Sequence, residues 1–204
     1  MATKNLRIVG VMGGNVTDAS LSDPLGIAIA EKQRHLLTGA GGGMMEAVAK
    51  AFVGVTNRSG LSLGIVRAND VCRHEVAWAK CNICAPFHMA DGDQTNPRRW
   101  SYRKAPNRYV EVPIMTHLPD SGARGKEHTS RNHINVLSAD VVVALPGDQG
   151  TKSEVELALE YRRTLVFFVG AHLIAGMTPR ALIDSVPGAT ATIATSIDQV
   201  IPLL

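Results

Sequence analysis

The sequence predicts a doubly wound α/β fold, in which about seven mostly parallel strands form a sheet with helices on both faces. Three observations lead to this prediction. Short apolar runs alternate with segments of helical periodicity over most of the 204 residues. Several runs end in glycine-rich turns, which are typical of strand-to-helix connections. The run at residues 140–145 (DVVVAL) is rich in β-branched residues, as expected for a strand buried on both faces.

The first half of the chain contains three predicted strands and two predicted helices. The strands are short apolar runs at residues 6–12, 36–38 and 61–66. We expect the first helix to begin at Asp23, with this carboxylate as the N-cap and Pro24 at the first helical position. The second helix, with the sequence MMEAVAKAFVGV, follows directly after a glycine run.

The second half repeats this alternation. Its predicted strands are residues 110–115, 140–145, 165–169 and 191–195, and its predicted helices are residues 130–137, 151–162, 178–185 and 197–204. Pro113 has no N–H to donate to a neighbouring strand, so its strand is expected at an edge of the sheet or at a bulge. Ser130 or Thr129, and then Thr151 and Thr178, are expected to cap the helices that they precede or begin.

Length and composition exclude several classes of protein. A chain of 204 residues is expected to form one domain, residues 1–204, with an irregular insertion at about residues 69–108. A formal net charge of +3 is too small to indicate a nucleic-acid partner. The sequence has no run of ~18 apolar residues, so no membrane partner is expected. The N-terminal sequence is not typical of a signal peptide, and the three cysteines are an odd count, so we expect a reducing, cytoplasmic location.

The first candidate site is the glycine turn at residues 39–45 (GAGGGMM), between a predicted strand and a predicted helix. Glycines let the backbone approach a ligand, and the free N–H groups of a helix N-terminus favour a phosphate. A tight turn needs only one or two glycines, so the longer run favours an anion site. The turn lacks the G-x-G-x-x-G pattern of dinucleotide-binding proteins, which disfavours NAD. The expected ligand contacts are Gly41, Gly42, Gly43 and Met44, with Gly13 and Gly14 from the turn after the first strand.

The second candidate site is residues 146–154 (PGDQGTKSE), which also join a buried strand to a helix. The expected ligand contacts here are Gly147, Gly150 and Thr151, because this helix N-terminus again offers free N–H groups. Glu154 lies three residues after Thr151, at the offset of a capping box, so a purely structural capping role is one alternative for it.

Both glycine turns follow the carboxyl ends of strands, and that edge of an open α/β sheet is where ligands bind. We therefore expect a phosphorylated small molecule, most simply a phosphomonoester, to lie between residues 41–44 and residues 147–151. Arg131, at the start of the preceding helix, could hold a phosphate or carboxylate through two hydrogen bonds. Taken alone, Arg131 would be a solvated residue of a first helical turn, and His133 a packed or surface histidine.

Residues 69–108 show no clear periodicity, and so long a connection is usually functional or partly disordered. We expect this insertion near the mouth of the crevice, where its basic residues could attract an anion. Five side chains have a pattern that resembles a zinc site: Cys72, His74, Cys81, Cys84 and His88. Only Cys81 and Cys84 have the spacing of a clear ligand pair, so we favour reduced cysteines without metal.

Together these motifs resemble the SLOG (SMF/DprA–Lonely Guy) superfamily. The resemblance rests on the stretches GGGMMEAVAKAF, SRNHINVLSADVVVALPG and PGDQGTKSE. The Lonely Guy signature is P-G-G-x-G-T-x-x-E with an arginine fifteen residues before its proline. Arg131 stands fifteen residues before Pro146, and Glu154 occupies the position of the final glutamate. The resemblance implies a Rossmann-like fold, a homodimer or higher homo-oligomer, and Arg131 and Glu154 as a catalytic pair.

Members of the Lonely Guy family hydrolyse the N-glycosidic bond of nucleoside 5′-monophosphates, a reaction that requires no cofactor. The resemblance therefore implies a phosphoribohydrolase, in which a carboxylate stabilises the oxocarbenium-like sugar. Other members of the superfamily are molybdenum cofactor carriers, which bind a phosphorylated pterin without cleaving it, or nucleotide sensors. Asp148 replaces the second glycine of P-G-G, and Asn135 stands where Lonely Guy proteins usually have methionine. These two departures keep the carrier as the alternative, whereas the spacing of Arg131 and Glu154 favours the hydrolase.

Overall fold

Seven parallel strands form one sheet in the described part of the chain. The structure is a computed structural model that describes residues 7–67 and 105–204. The strands are β1 (Ile8–Met12), β2 (His35–Thr38), β3 (Ser62–Val66), β4 (Val112–Met115), β5 (Val141–Ala144), β6 (Thr164–Phe167) and β7 (Thr192–Ile193). Their order in the sheet is β4-β3-β2-β1-β5-β6-β7, and every pairing is parallel. The prediction of a mostly parallel sheet is confirmed.

Helices cover both faces of this sheet. They are α1 (Ala19–Glu31), α2 (Met44–Gly54), α3 (Asn132–Ser138), α4 (Gln149–Glu160), α5 (Pro179–Asp184) and α6 (Ile197–Val200). The alternating side chains of β5 divide between two apolar cores. Val141 and Val143 pack in one core with residues of α1 and α2, whereas Val142 and Ala144 pack in the other with residues of α3 and α4. The predicted doubly wound α/β architecture is therefore confirmed.

β4 lies at an edge of the sheet, as Pro113 predicts. Pro113 pairs in register with Gly64 of β3, and β4 is the last strand on that side in the sheet order. The proline can occupy this position because an edge strand has one side without a ladder partner.

The predicted start of the first helix is wrong. α1 begins at Ala19, and the carboxylate of Asp18 accepts a hydrogen bond of 2.9 Å from the N–H of Ser20. Pro24 lies inside the helix instead of opening it. Its missing N–H removes one helical hydrogen bond, and the burial of Leu25 and its apolar neighbours against the sheet offsets that cost.

The predicted cap of the fourth helix is also wrong, whereas that of the fifth is confirmed. α4 begins at Gln149 with Asp148 at the N-cap position, and the buried Thr151 side chain packs beneath Gly147. α5 begins as predicted, because the Thr178 hydroxyl accepts a hydrogen bond of 3.2 Å from the N–H of Ala181. No helix in residues 7–67 or 105–204 has the length and hydropathy needed to cross a membrane.

The topology creates a crevice between β1 and β5. From β1 the chain adds β2, β3 and β4 on one side of the sheet, and β5, β6 and β7 follow on the other side. The loops that leave the carboxyl ends of β1 and β5 therefore diverge to opposite faces. In open α/β sheets, ligands bind at such a switch point.

Candidate functional site

Three backbone turns meet at the crevice between β1 and β5. The N–H of Gly14, after β1, donates a hydrogen bond of 2.9 Å to the carbonyl of Pro146, after β5. The N–H of Met44, the first residue of α2, donates to the carbonyl of Gly14, also at 2.9 Å. These bonds hold the N-termini of α2 and α4 beside the same point. Because each helix N-terminus carries a positive partial charge, their convergence favours an anion.

A cavity of about 1070 Å³ opens at this point. Most of the residues singled out in the sequence lie in its walls: Gly13, Gly14, Gly41, Gly42, Gly43, Arg131, Gly150, Thr151 and Glu154. Met44 and Gly147 line a smaller second cavity instead. Gly14, Asn15 and Asp148 line both cavities.

Two of the glycines are required by the packing of the turns. Gly43 has a φ of +67°, and a Cβ there would fall 2.5 Å from the carbonyl oxygen of Gly14. A Cβ on Gly147 would overlap the Thr151 side chain and lie 2.8 Å from the backbone nitrogen of Gly14. Packing of the turns alone accounts for glycine at these two positions, so neither glycine is evidence for a ligand.

Two other glycines are not required by packing. A Cβ on Gly42 would have its nearest neighbour at 3.5 Å, and a Cβ on Gly150 would have its nearest neighbour at 3.4 Å. Both distances are ordinary van der Waals contacts, so alanine would fit at either position. Both residues line the large cavity and stand at the N-termini of α2 and α4. The missing side chains leave space where the two helix dipoles converge.

Arg131 reaches the cavity from the N-terminus of α3. Its Nη1 donates a hydrogen bond of 2.8 Å to the carbonyl of Ile65, at the end of β3. The guanidinium lies against Gly39, where a Cβ would overlap it. Its Nε is buried and has no hydrogen-bond partner among the described residues. Burial lowers the pKa of Arg131, and Glu154 opposes this effect.

Glu154 enters the cavity from the second turn of α4 and is held by α3. The side chain is only 5% exposed, and the Asn135 amide donates a hydrogen bond of 2.9 Å to its Oε1. Glu154 thus binds Asn135 rather than acting in a capping box. Burial raises the pKa of Glu154, while Arg131 and the bond from Asn135 act in the opposite direction. Arg131 and Glu154 therefore interact electrostatically, and both line one cavity.

Two asparagines support the site in ways that the sequence does not predict. Asn107 donates from its amide to the carbonyl of Gly41 at 2.8 Å, and its backbone N–H donates to the carbonyl of Ala40 at 2.9 Å. Asn135, which departs from the Lonely Guy pattern, bonds the Glu154 carboxylate. No local sequence signal connects Asn107 to a turn 66 residues earlier, or Asn135 to a carboxylate 19 residues later.

His133 and the cysteines lie apart from this cavity or outside the described residues. The His133 ring bonds the Tyr161 hydroxyl at 2.6 Å and the Glu127 carbonyl at 3.0 Å, which fits a packed histidine. The candidate zinc ligands Cys72, His74, Cys81, Cys84 and His88 all lie outside the described residues. Within residues 7–67 and 105–204, no group of three His, Cys, Asp or Glu side chains is placed to hold a metal.

Both ends of the predicted insertion border the cavity. Arg67 and the short stretch at residues 105–108 line it, and Arg108 is exposed. Residues 68–104, which carry most of that insertion, lie outside the described part of the chain. Asp148 is exposed in the same wall, and its carboxylate makes no capping hydrogen bond. The mouth of the cavity thus carries charges of both signs.

Comparison with known proteins gives one family and several structural neighbours. The family model described as SLOG cluster4 matches residues 6–199. A molybdenum cofactor binding protein from the phototrophic bacterium Rippkaea orientalis is 27% identical, with a TM-score of 0.64, and the match covers 98% of this chain and 96% of that protein. The molybdenum cofactor carrier protein of Chlamydomonas reinhardtii is 22% identical, with a TM-score of 0.62 and coverage of 98% and 96%, a likeness of fold. No curated protein matches the sequence at a significant level.

Proposed function

Because the chain belongs to the SLOG cluster4 family, we propose that it binds a phosphorylated pterin and carries the molybdenum cofactor without cleaving it. The observation that supports binding is the pair of open glycines, Gly42 and Gly150, at two converging helix N-termini. The similarity to the Rippkaea orientalis protein, which extends over nearly the whole of both chains, supports the class of ligand.

The phosphate is assigned to the space between Gly42 and Gly150. Backbone N–H groups at the start of α2 and α4 supply donors there, and the two helix dipoles add positive potential. A Cβ on Gly42 would meet only the Glu46 carboxylate at 3.5 Å, and a Cβ on Gly150 only the Gly122 backbone at 3.4 Å, so packing does not require glycine at either position and both leave room for a ligand. Arg67 and Arg108 at the mouth add positive charge.

The state of Glu154 favours a carrier over a hydrolase. A hydrolase needs an ionised carboxylate to stabilise the positive charge that develops on the sugar. Here burial is the largest influence on Glu154 and raises its pKa, while Arg131 and the hydrogen bond from Asn135 to Oε1 act in the opposite direction. Because the net direction is upward, less of the ionised carboxylate is available to stabilise a positive charge in the cavity.

The proposal is tested by retention of the cofactor. The purified protein is mixed with molybdenum cofactor released from a molybdoenzyme and passed through a desalting column. Bound pterin is then measured as its fluorescent oxidation product, and bound molybdenum by mass spectrometry. We expect near-stoichiometric retention by the wild type and at least a tenfold loss in Gly150→Glu, which adds bulk and negative charge at the phosphate position.

Gly54→Glu is the matched control for this experiment. Gly54 lies at the far end of α2, and nothing is within 4 Å of a Cβ there. It therefore receives the same added charge outside both cavities, and its retention should equal that of the wild type. Absence of retention by the wild type, or equal losses in both variants, would contradict the proposal.

A nucleoside 5′-monophosphate phosphoribohydrolase is the second candidate. One observation favours it: Arg131 and Glu154, the pair implied by the Lonely Guy resemblance, line the same cavity and are electrostatically coupled. Chromatography of adenosine, guanosine and cytidine monophosphates after overnight incubation decides between the two functions. Release of free base, abolished in Glu154→Gln, would establish the hydrolase and overturn the carrier.

A further inference from the structure

A second cavity adjoins the proposed phosphate site on the side of β6. It has a volume of about 500 Å³ and shares Gly14, Asn15 and Asp148 with the large cavity. The large cavity, at about 1070 Å³, already reaches the upper end of the ~300–1,000 Å³ that is usual for small-molecule sites. The joined space therefore exceeds what a ligand with a single phosphate and one ring system requires.

The two cavities meet at the backbone of Gly14 and Gly147, and Asn15 and Asp148 line both of them beside it. Gly14 and Gly147 lie so close that a Cβ on Gly14 would fall 2.7 Å from the Cα of Gly147. The carbonyl of Gly147 accepts a hydrogen bond of 2.8 Å from the N–H of Ala175, which ties this wall to the loop after β6. A second phosphate could pass over this glycine backbone, beside the Asn15 amide and the exposed Asp148 carboxylate.

The second cavity has the chemistry of a nucleoside site. Val16 and Leu173 present apolar side chains that are 81% and 46% exposed, and both line this cavity. His172 lies beside them and bonds the Asp18 carboxylate through Nε2 at 3.0 Å. A base can stack on the apolar groups and the imidazole, while Oδ2 of Asp18, already bonded to His172, can accept one further hydrogen bond from a sugar hydroxyl. Exposed apolar groups beside a polar pair are typical of small-molecule sites.

We propose that the second cavity binds the nucleoside of a dinucleotide. The ligand is a pterin phosphate joined through a second phosphate to a nucleoside, with its pyrophosphate crossing the Gly14–Gly147 wall. This inference rests on the proposed function and deepens it, since it names the chemical form of the ligand that the protein carries. The chain lacks the G-x-G-x-x-G motif, so the pyrophosphate is held by two separate glycine turns and not by a single dinucleotide fingerprint.

A competition experiment tests this inference. Equal amounts of the molybdenum cofactor and of its guanosine and cytidine dinucleotide forms are offered to a limiting amount of protein. The retained forms are separated by chromatography of their fluorescent oxidation products. We expect the wild type to retain at least one dinucleotide form with about tenfold or greater preference over the simple cofactor.

Two variants locate the source of this preference. His172→Ala and Leu173→Ala should bring the retention ratio close to one while leaving retention of the simple cofactor unchanged. Ile27→Ala, at a 40% exposed residue of α1 outside both cavities, is the control and should keep the wild-type ratio. A wild-type ratio near one, or a preference that survives both variants, would overturn the inference and leave the proposed function intact. Failure to retain any form would overturn the proposed function as well.

Discussion

The two glycine turns at the crevice have the same role in the fold and different means of support. The turn after β5 is supported by a side chain of its own helix, since Thr151 packs beneath Gly147, and its backbone is also bonded by Gly14 and Ala175 from distant parts of the chain. The turn after β2 has a local bond of 3.1 Å from the N–H of Ala40 to the Thr38 hydroxyl, but the side chain that bonds its glycine run is Asn107, 66 residues later. Both turns therefore need distant contacts, and they differ in whether the supporting side chain belongs to the adjoining helix.

The largest expected effect on stability distinguishes Gly43, which packing requires, from Gly42, which it does not. Gly43→Ala places a Cβ at positive φ and against the carbonyl of Gly14, so it should lower the free energy of unfolding by about 3 kcal/mol or more. Gly42→Ala, its immediate neighbour, meets only ordinary contacts and should change that free energy by less than about 0.5 kcal/mol. Urea unfolding measures both values. Equal stabilities for the two variants would refute the distinction.

The next effect tests the remote support of the turn after β2. Asn107→Ala removes the side-chain hydrogen bond to the half-buried carbonyl of Gly41 and should cost about 0.5–1.5 kcal/mol of stability, the usual net contribution of one hydrogen bond. We also expect cofactor retention to fall, since the N-terminus of α2 is no longer held in position. Retention and stability that both match the wild type would show that the turn is locally supported after all.

The stability of the protein should depend on pH through the buried Glu154, which lines the large cavity. Burial raises the pKa of Glu154, so the folded protein keeps this proton to higher pH than the unfolded chain does. The contribution of Glu154 to stability is therefore greatest below the ordinary glutamate pKa of about 4.3 and is lost as pH rises through the raised value. Glu154→Gln has no such proton, so its Tm relative to the wild type should increase between about pH 4 and pH 8.

Thermal unfolding of both proteins across this range gives the comparison. A difference in Tm that is constant, or that increasingly favours the wild type at high pH, would mean that Arg131 and Asn135 stabilise the carboxylate at least as much as burial penalises it. Glu154 would then be ionised near neutral pH and would no longer favour a carrier over a hydrolase.

The sequence predicts those parts of the molecule that depend on neighbouring residues. The β-branched run of β5 follows from its own pattern, and Thr178 followed by Pro179 is sufficient to place the start of α5. The glycine turns are also visible in the sequence, since strand-to-helix positions and glycine content are local features. Their convergence at one edge follows from the parallel topology.

The sequence does not predict features that depend on a choice between alternative residues, or on contacts between residues that are distant in the chain. The sequence favours Asp23 because Pro24 follows it, whereas the N-cap is Asp18, which accepts a hydrogen bond from the N–H of Ser20, and Pro24 lies inside the helix. The bond from Asn135 to Glu154 joins two helices and becomes visible only when both are placed on one face of the sheet. The second cavity likewise forms between the loop after β1 and the loop after β6, which are distant in the chain.

The smallest expected effect concerns the exposed carboxylate of Asp148. This charge lines both cavities and repels a phosphate through solvent, so Asp148→Asn should raise cofactor affinity by about twofold to fivefold at low salt. The gain should shrink as ionic strength increases. Titration at two salt concentrations measures it, and reduced affinity in this variant would show that Asp148 contacts the ligand directly.

A crystal structure of the protein with the molybdenum cofactor, or with millimolar inorganic phosphate, tests the central claim most directly. We expect a phosphate group between Gly42 and Gly150, within about 3.2 Å of backbone N–H groups at the N-termini of both α2 and α4. A phosphate held only by the Arg67 and Arg108 side chains at the mouth, with the space between the two glycines filled by water, would contradict it.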